Sequence, residues 1–500
     1  MKKAVITVLG KIGHTKIDYI CENGAIKKIF PEKKEEDKAV YYFGKKLKKE
    51  FELSKEKKYI NMLPVIYELF KNDHIIPIYT EKAQEIQKKV LEYEGIPTNI
   101  LNNTSGFIND EKNFPEIFAT INKILNDETY DKIIVDITHG FRHLPILMVI
   151  NLIIENIQQI NKIEHFLFAK EIEAGKEYEI IDLKEYLDIA NLSYALSSFT
   201  ANYTVSGNIT TSNKNYNDFL KELNNFSEHI LANSLDALIL TTNKKSSISQ
   251  KLLNKIDNIL QEKDDKLKKF EHYLIDIKEH IEEIKNYAQL SESEKLFKLS
   301  SNMLEKGYFL NSITLLNEAV GLFCKEEFKK INLEIKNFIE SFEREVKHRK
   351  NNSNNKKYQL YSLSDQSKNL YKLNTKFNGD YLYIKYPNAH EKEFNKKSED
   401  ITIRIKNHLL DLKHTDLYNK RVELIDDISR LRNNLAHGNS SQRLQDVRDD
   451  ICQVLKKFNE LFLSSKHKVT HKCQGIEEKT KPQHTRVVKD LRKNKKKPAL

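Results

Sequence analysis

The chain has 500 residues, too many for one ordinary domain, and 39% of them are hydrophobic, enough to build two or three cores. Gly (14) and Pro (9) are scarce, which favours long helices and argues against a turn-rich all-β fold. The net charge of +11 is uneven: Ser464 to Leu500 holds 12 Lys or Arg against Glu477, Glu478 and Asp490, so this tail carries +9 and the rest of the chain only +2.

The first 190 residues alternate short apolar runs with helical patterns. AVITVLG (Ala4 to Gly10) reads as a buried strand running into the loop GKIGHT. NMLPVIYELF is helical and leads to a second strand, HIIPIYT, followed by the helix EKAQEIQKKVLEYEG with Gly95 as its stop. PTNIL reads as a short strand and NFPEIFATINKILND as a helix. KIIVDIT (Lys132 to Thr138) is a clear strand, HLPILMVINLIIENI a very apolar helix, and IEHFLFAK closes the series. This alternation predicts an α/β domain with a parallel-rich sheet covered by helices on both faces.

From about Leu183 the pattern is almost entirely helical, predicting an all-α C-terminal domain. LLNKIDNILQEKDDKLKKFEHYLIDIKEHIEEIKNY suits a long amphipathic helix or a helical hairpin. LFKLSSNMLEKGYFLNSITLLNEAVGLFCKEEF reads as two packed helices broken at Gly307. KHRKNNSNNKK is a polar loop, and YKLNTKFNGDYLYIKYP is irregular, with room for a hairpin. The expected divisions are a sheet domain at 1–190, a connector at 191–207, a helical domain at 208–463 with an insertion around 347–395, and a disordered basic tail at 464–500. That tail could concentrate RNA through salt-sensitive phosphate contacts or serve only solubility.

Cys21, Cys324, Cys452 and Cys473 match neither a disulfide framework nor a zinc spacing. The apolar stretch after Met1 is too short for a signal peptide and nothing approaches a membrane span, so the cytoplasm is the expected compartment and no membrane partner is expected.

In a parallel sheet, ligands bind beyond the carboxyl ends of the strands. Three stretches should meet there: Gly10 to Thr15 including Gly13, Thr80 to Ala83, and DITHGFRHLP from Asp136 to Pro145. Thr138, His139 and Arg142 offer donors to a phosphate or base, and Gly140 lets the backbone approach closely. Neither glycine loop is a GxGxxG or a P-loop, which argues against a standard dinucleotide or triphosphatase site. His139, His143 and Asp136 raise a metal site, but the glutamate of a metalloprotease helix is missing and Pro145 disturbs the helix, so no metal is expected. Asp136 or Thr138 also suits a helix cap.

RNNLAHG (Arg432 to Gly438) is the second constellation. A His can take the proton of a ribose 2′-OH and an Arg can stabilise the attacked phosphate, which together cleave RNA without a metal. Chance alone supplies an Arg five residues before a His about 0.35 times in such a chain, so the bare spacing is a hypothesis. The alternative is a pair of solvated groups at a frayed helix end. Arg430 lies seven residues before His437 and would share its face on an unbroken helix, whereas Arg432 sits about 140° around.

DITHGFRHLP after a strand, with the VLG loop at the N-terminus, resembles the CARF domains of CRISPR-associated proteins. RNNLAHG resembles the catalytic motif of HEPN ribonucleases, and GYFLNSITLLNEAVGLF is similar to the helices that precede it there. CARF followed by HEPN is the order of the accessory ribonucleases of type III CRISPR systems. The resemblance covers roughly Met1 to Val205 and Ser300 to Leu463.

It implies a Rossmann-like CARF domain that, as a homodimer, binds a cyclic oligoadenylate through Gly10, Gly13, Thr80, Asp136, Thr138, His139, Gly140 and Arg142. It further implies a HEPN dimer that cuts single-stranded RNA by attack of its own 2′-OH, leaving a 2′,3′-cyclic phosphate. The activator is then an allosteric ligand, and no cofactor is needed. The family pattern of a polar residue after the Arg selects Arg432 with Asn433, and His437 acts as base or phosphate-orienting donor. The competing readings are a nucleotide-sensing regulator without nuclease activity and a toxin-type HEPN ribonuclease. No convincing helix-turn-helix supports the first, and the second leaves the sheet domain without a purpose.

Overall fold

In the computed structural model, β1 (Lys3–Val8) lies within a seven-stranded sheet. Its Ala4, Ile6 and Val8 enter one hydrophobic core and Val5 enters another. A strand covered on both faces has no water-facing side to alternate with, which is why Thr7 is the one polar residue from Ala4 to Val8. The structure describes all residues except 1, 11–17, 23–24, 30–37, 46, 54–56, 110–113, 140–142, 159–161, 206, 208, 241–245, 262–270, 353–362, 374–381, 383–388, 439–442 and 464–500.

β2 (Asp18–Glu22) and β3 (Ala25–Ile29) pair antiparallel as a separate hairpin. There follow β4 (Ala39–Phe43), β5 (Lys58–Tyr59), α1 (Met62–Phe70), β6 (His74–Ile78), α2 (Glu81–Tyr93), α3 (Phe114–Leu125), β7 (Lys132–Asp136), α4 (His143–Gln158), β8 (Ile163–Glu173) and β9 (Glu177–Asp182). The sheet order is β5-β4-β9-β8-β7-β1-β6. β1 is parallel to both β6 and β7, β8 is parallel to β7, and β4 is parallel to β9. β8–β9 and β4–β5 are antiparallel.

The sheet is therefore mixed, and its antiparallel pairs are completed by β5 and β9, which no apolar run marks. β9 is EYEIID, half-covered and alternating, and Gly175 takes φ +68° in the turn that returns it beside β8. PTNIL, read as a strand, is instead a 3-10 turn at Thr98–Asn102 in which only Leu101 is buried. The edge beyond β6 is met by Phe107, which bridges to Tyr79. A Cβ at Gly106 would fall 2.1 Å from the Pro77 carbonyl oxygen, so this close approach requires glycine.

α3 and α4 cover one face with Ile117, Ile121, Leu144, Met148 and Leu152. α1 covers the other with Met62, Val65, Ile66 and Phe70 against Tyr41, Ile134 and Leu167. Full burial of each large apolar side chain contributes about 1.5–3 kcal/mol, so these two layers hold the sheet between them. Next come α5 (Lys184–Asn202), α6 (Lys214–Leu231), α7 (Leu235–Ile239), α8 (Ile248–Gln261) and α9 (Glu271–Asn286). The chain divides into compact units Met1–Lys285 and Asn286–Leu500.

The described part of the second unit is helical: α10 (Glu292–Glu305), α11 (Phe309–Ile331), α12 (Leu333–Asn352), α13 (Leu363–Tyr371), α14 (Ala389–Leu412), α15 (Asp416–Ala436), α16 (Leu444–Phe458) and a π-helical turn at Asn459–Leu463. α10 starts with a capping box in which Ser291 and Glu294 satisfy each other's backbone N–H groups at 3.3 and 3.0 Å. Gly307 takes φ +83° between α10 and α11, matching the break read from sequence. One core gathers Phe297, Leu316, Val320, Ile335, Ile405, Ile425, Ile428, Ile451 and Phe458 from six of these helices. No helix among the described residues is long and apolar enough to cross a membrane. The basic tail and most of the Tyr-rich stretch lie outside the described residues.

Candidate functional site

In the first unit β1 is flanked by β6 on one side and by β7, the next sheet strand after β6, on the other, so the order reverses beside β1. Such a switch point opens a crevice at the carboxyl ends of the strands, where ligands of parallel sheets bind. Gly10, Thr80, Asp136, Thr138 and His139 all follow or end these three strands. Gly13, Gly140 and Arg142 lie outside the described residues.

Asp136 is completely buried. Its carboxylate accepts from the Thr7 hydroxyl at 2.7 Å, the Thr138 N–H at 3.0 Å and the Thr138 hydroxyl at 2.5 Å. Burial pushes this carboxyl above its ordinary range, while the threonine hydrogen bonds pull the other way. The Thr138 hydroxyl in turn accepts the Ala169 N–H at 2.9 Å, so it ties β7 to β8. Asp136 and Thr138 thus build the corner between strand and loop, and Asp136 presents no surface to solvent.

His139 Nε2 accepts the Met62 N–H at 3.1 Å and so satisfies the first amide of α1. As an acceptor, Nε2 carries a lone pair, which assigns the ring proton to Nδ1. Gln87 is buried and links two walls: it donates to the Gly10 carbonyl at 3.1 Å and accepts from Asn61 at 3.0 Å. Asn61 also caps α1 by accepting the Leu63 N–H at 3.0 Å.

Thr80 differs from these. It occupies the N-cap position of α2 with an extended backbone but makes no side-chain cap bond. Its residue is 4% exposed, and its Oγ1 has no hydrogen-bond partner among the described residues. A buried hydroxyl without a partner beside the first amides of a helix is unusual, since such groups are as a rule hydrogen-bonded.

Thr7, Asn61 and Gln87 escaped the sequence reading. Thr7 was findable in principle: it is the one hydroxyl inside the apolar run of β1, as Asp136 is the one carboxylate inside β7. Among the described residues no three His, Cys, Asp or Glu side chains gather as metal ligands would. His139 is engaged by Met62, and His143 packs on the Phe114 ring at 5.4 Å.

In the second unit α15 begins with Thr415, whose side chain accepts the Tyr418 N–H at 3.3 Å. It buries Leu424, Ile425, Ile428 and Leu431 and turns Asn433 and His437 to solvent, with Arg432 half-buried. The helix runs unbroken to Ala436; His437 is its C-cap and Gly438 takes φ +71°, the expected stop. Arg432 and His437 therefore leave one helix about 140° apart.

Arg432 donates to the Asn433 side-chain oxygen at 2.9 Å and makes no ion pair among the described residues. Arg430, its rival, is tied to Asp427 at 2.8 Å. The arrangement offers a guanidinium with unfilled donors and an exposed imidazole at one helix end, which can meet phosphate and move a proton.

No family model and no curated protein matches this chain. Among solved structures, Enterococcus italicus Csm6 bound to cyclic hexa-2′-fluoro-hexa-dAMP is similar over 93% of this chain and 94% of that one, at 10% identity and a TM-score of 0.28. A likeness of that degree carries no argument about this chain.

Proposed function

We propose that this protein is an endoribonuclease of the CARF–HEPN kind, switched on by a cyclic oligoadenylate in type III CRISPR defence. The observation that carries the reading is the state of RNNLAHG at the end of α15. Its Arg432 lacks an acidic partner among the described residues and its Asn433 and His437 face water, while the neighbouring Arg430 is already paired. The reversal of strand order beside β1, with a Thr80 hydroxyl that has no partner among the described residues, supports an activator site in the first unit.

In the proposed reaction His437 accepts the proton of a ribose 2′-OH as that oxygen attacks the adjacent phosphorus. Arg432 stabilises the charge gathering on the non-bridging oxygens. The P–O5′ bond breaks, the leaving 5′-oxygen takes a proton, and the products are a 2′,3′-cyclic phosphate and a 5′-hydroxyl. Because Arg432 and His437 diverge on one helix, two copies related by a two-fold axis supply a fuller set of groups. The activator can control this only if it binds two states of the dimer with different affinity.

The deciding experiment incubates the full chain with a fluorescent single-stranded RNA, cyclic oligoadenylates of several ring sizes and a chelator. Cleavage that depends on one ring and survives chelation is expected. No cleavage with any ring, or cleavage abolished by the chelator, overturns the reading.

A further inference from the structure

α13 falls in the stretch that the sequence sets apart as an insertion, yet it packs along α11 and meets α15 at its C-terminal end. A Cβ at Gly321 of α11 would lie 2.4 Å from the Ser364 carbonyl oxygen, so the two helices touch backbone to backbone where only glycine fits. Ser364 donates to Glu318 at 2.6 Å, which adds a second tie to α11. At the C-terminal end of α13 the Tyr418 hydroxyl of α15 donates to the Tyr371 carbonyl at 2.6 Å, and Lys372 pairs with Asp426 at 2.8 Å.

Lys368 stands where α13 meets α11 beside α15. Its ammonium donates to Asn317 Oδ1 at 2.8 Å and meets Asp365 at 3.0 Å, and Lys368 and Asn317 are both buried. The same Asn317 oxygen lies 3.4 Å from the Ser429 hydroxyl, whose shorter bond, 2.8 Å, goes back to the Ile425 carbonyl. Ser429 is one helical turn before Arg432 and Asn433. A buried ammonium needs its donors met by fixed acceptors, and here the acceptor also faces the helix that carries RNNLAHG.

We infer that Lys368 is a positioning residue for Arg432 and Asn433. Through Asn317 and the docked α13 it sets the rotation and height of the last two turns of α15. The inference rests on the ribonuclease reading for its consequence in catalysis, but its geometric content is independent of it.

The test uses the full chain with whichever cyclic oligoadenylate activates the wild type. Lys368→Met keeps the aliphatic stem and removes the donors; it should lower kcat about tenfold or more, with KM for RNA and activator affinity changed less than about twofold. Lys368→Arg, which restores a cation with donors, should recover most of the loss. Gly321→Ala should slow cleavage by pushing α13 away, and the double variant should be no slower than the slower single one, because both act on the docking of α13.

Hydrogen exchange supplies a readout that needs no activity. In Lys368→Met the amides of Ser429 to Ala436 should exchange about tenfold faster while those of α10 hold their protection. Wild-type kcat in Lys368→Met, or protection lost equally across all helices of the unit, overturns the inference. If the wild type fails to cleave RNA with every ring, the ribonuclease reading fails and the exchange comparison still decides the positioning. If Lys368→Met does not fold, Lys368→Arg and Gly321→Ala decide it.

Discussion

The Thr7 hydroxyl donates to the Asp136 carboxylate at 2.7 Å, joining residues 129 apart in sequence that stand opposite each other on adjacent parallel strands. This bond joins the two strands between which the strand order reverses. It places a fully buried polar pair between β1 and β7, beneath the carboxyl ends of the strands.

The pair has a pH signature. Because burial raises the Asp136 carboxyl above its ordinary 3.8, the folded chain holds that proton more tightly than the unfolded chain. Its contribution to stability is then complete below the unfolded value and is lost as pH rises through the higher folded value. Asp136→Asn removes the titration, so wild-type stability relative to this variant should fall as pH rises across that window. Unfolding midpoints in urea from pH 3 upward, about every half unit, check it. Asp136→Ala strands three donors and should cost about 1–3 kcal/mol for each one left buried without an acceptor.

Thr80→Val keeps the shape of a buried side chain and removes a hydroxyl that has no partner among the described residues. Stability should hold or rise slightly, since no internal hydrogen bond is lost. Activator affinity, measured by titration calorimetry, should weaken about tenfold, in line with the loss of one hydrogen bond to a charged ligand. Unchanged affinity would remove Thr80 from the site.

Arg432→Ala should reduce activated RNA cleavage by about 100-fold or more, and His437→Ala similarly, with activator binding retained in both. Arg430→Ala, which breaks an exposed pair with Asp427, should stay within about threefold. Cleavage rates under saturating activator discriminate these cases. Loss with Arg430→Ala alone would transfer the role to that residue.

Removing residues 464–500 takes away +9 of the +11 net charge. RNA affinity at low salt should fall, and the slope of log affinity against log salt should flatten by about 0.7 for each phosphate that the tail no longer neutralises. Activation by the cyclic oligoadenylate should not change. Equal slopes with and without the tail would leave it a solubilising segment.

Much of the local structure was legible because it obeys short-range rules. Apolar runs marked β1, β6 and β7, helical spacing marked α1 to α4, and Gly95, Gly307 and Gly438 stopped helices where a positive φ was needed. Strands covered on one face, such as β9, were missed because charged residues interrupt their runs. RNNLAHG and DITHGFRHLP were visible as motifs, since chemistry-bearing residue types cluster in sequence there.

What the sequence by itself determined is which residues could bind or react and the order of a sheet region before a helical one. Only the tertiary structure decided which of them are already spent. Pairing of Asp136 with Thr7 and of His139 with the first amide of α1 depends on distances between elements that no periodicity encodes. The same is true of what stays open. Among the described residues, Thr80 keeps a buried hydroxyl without a partner and Arg432 keeps donors unfilled, because packing brings no acceptor to either.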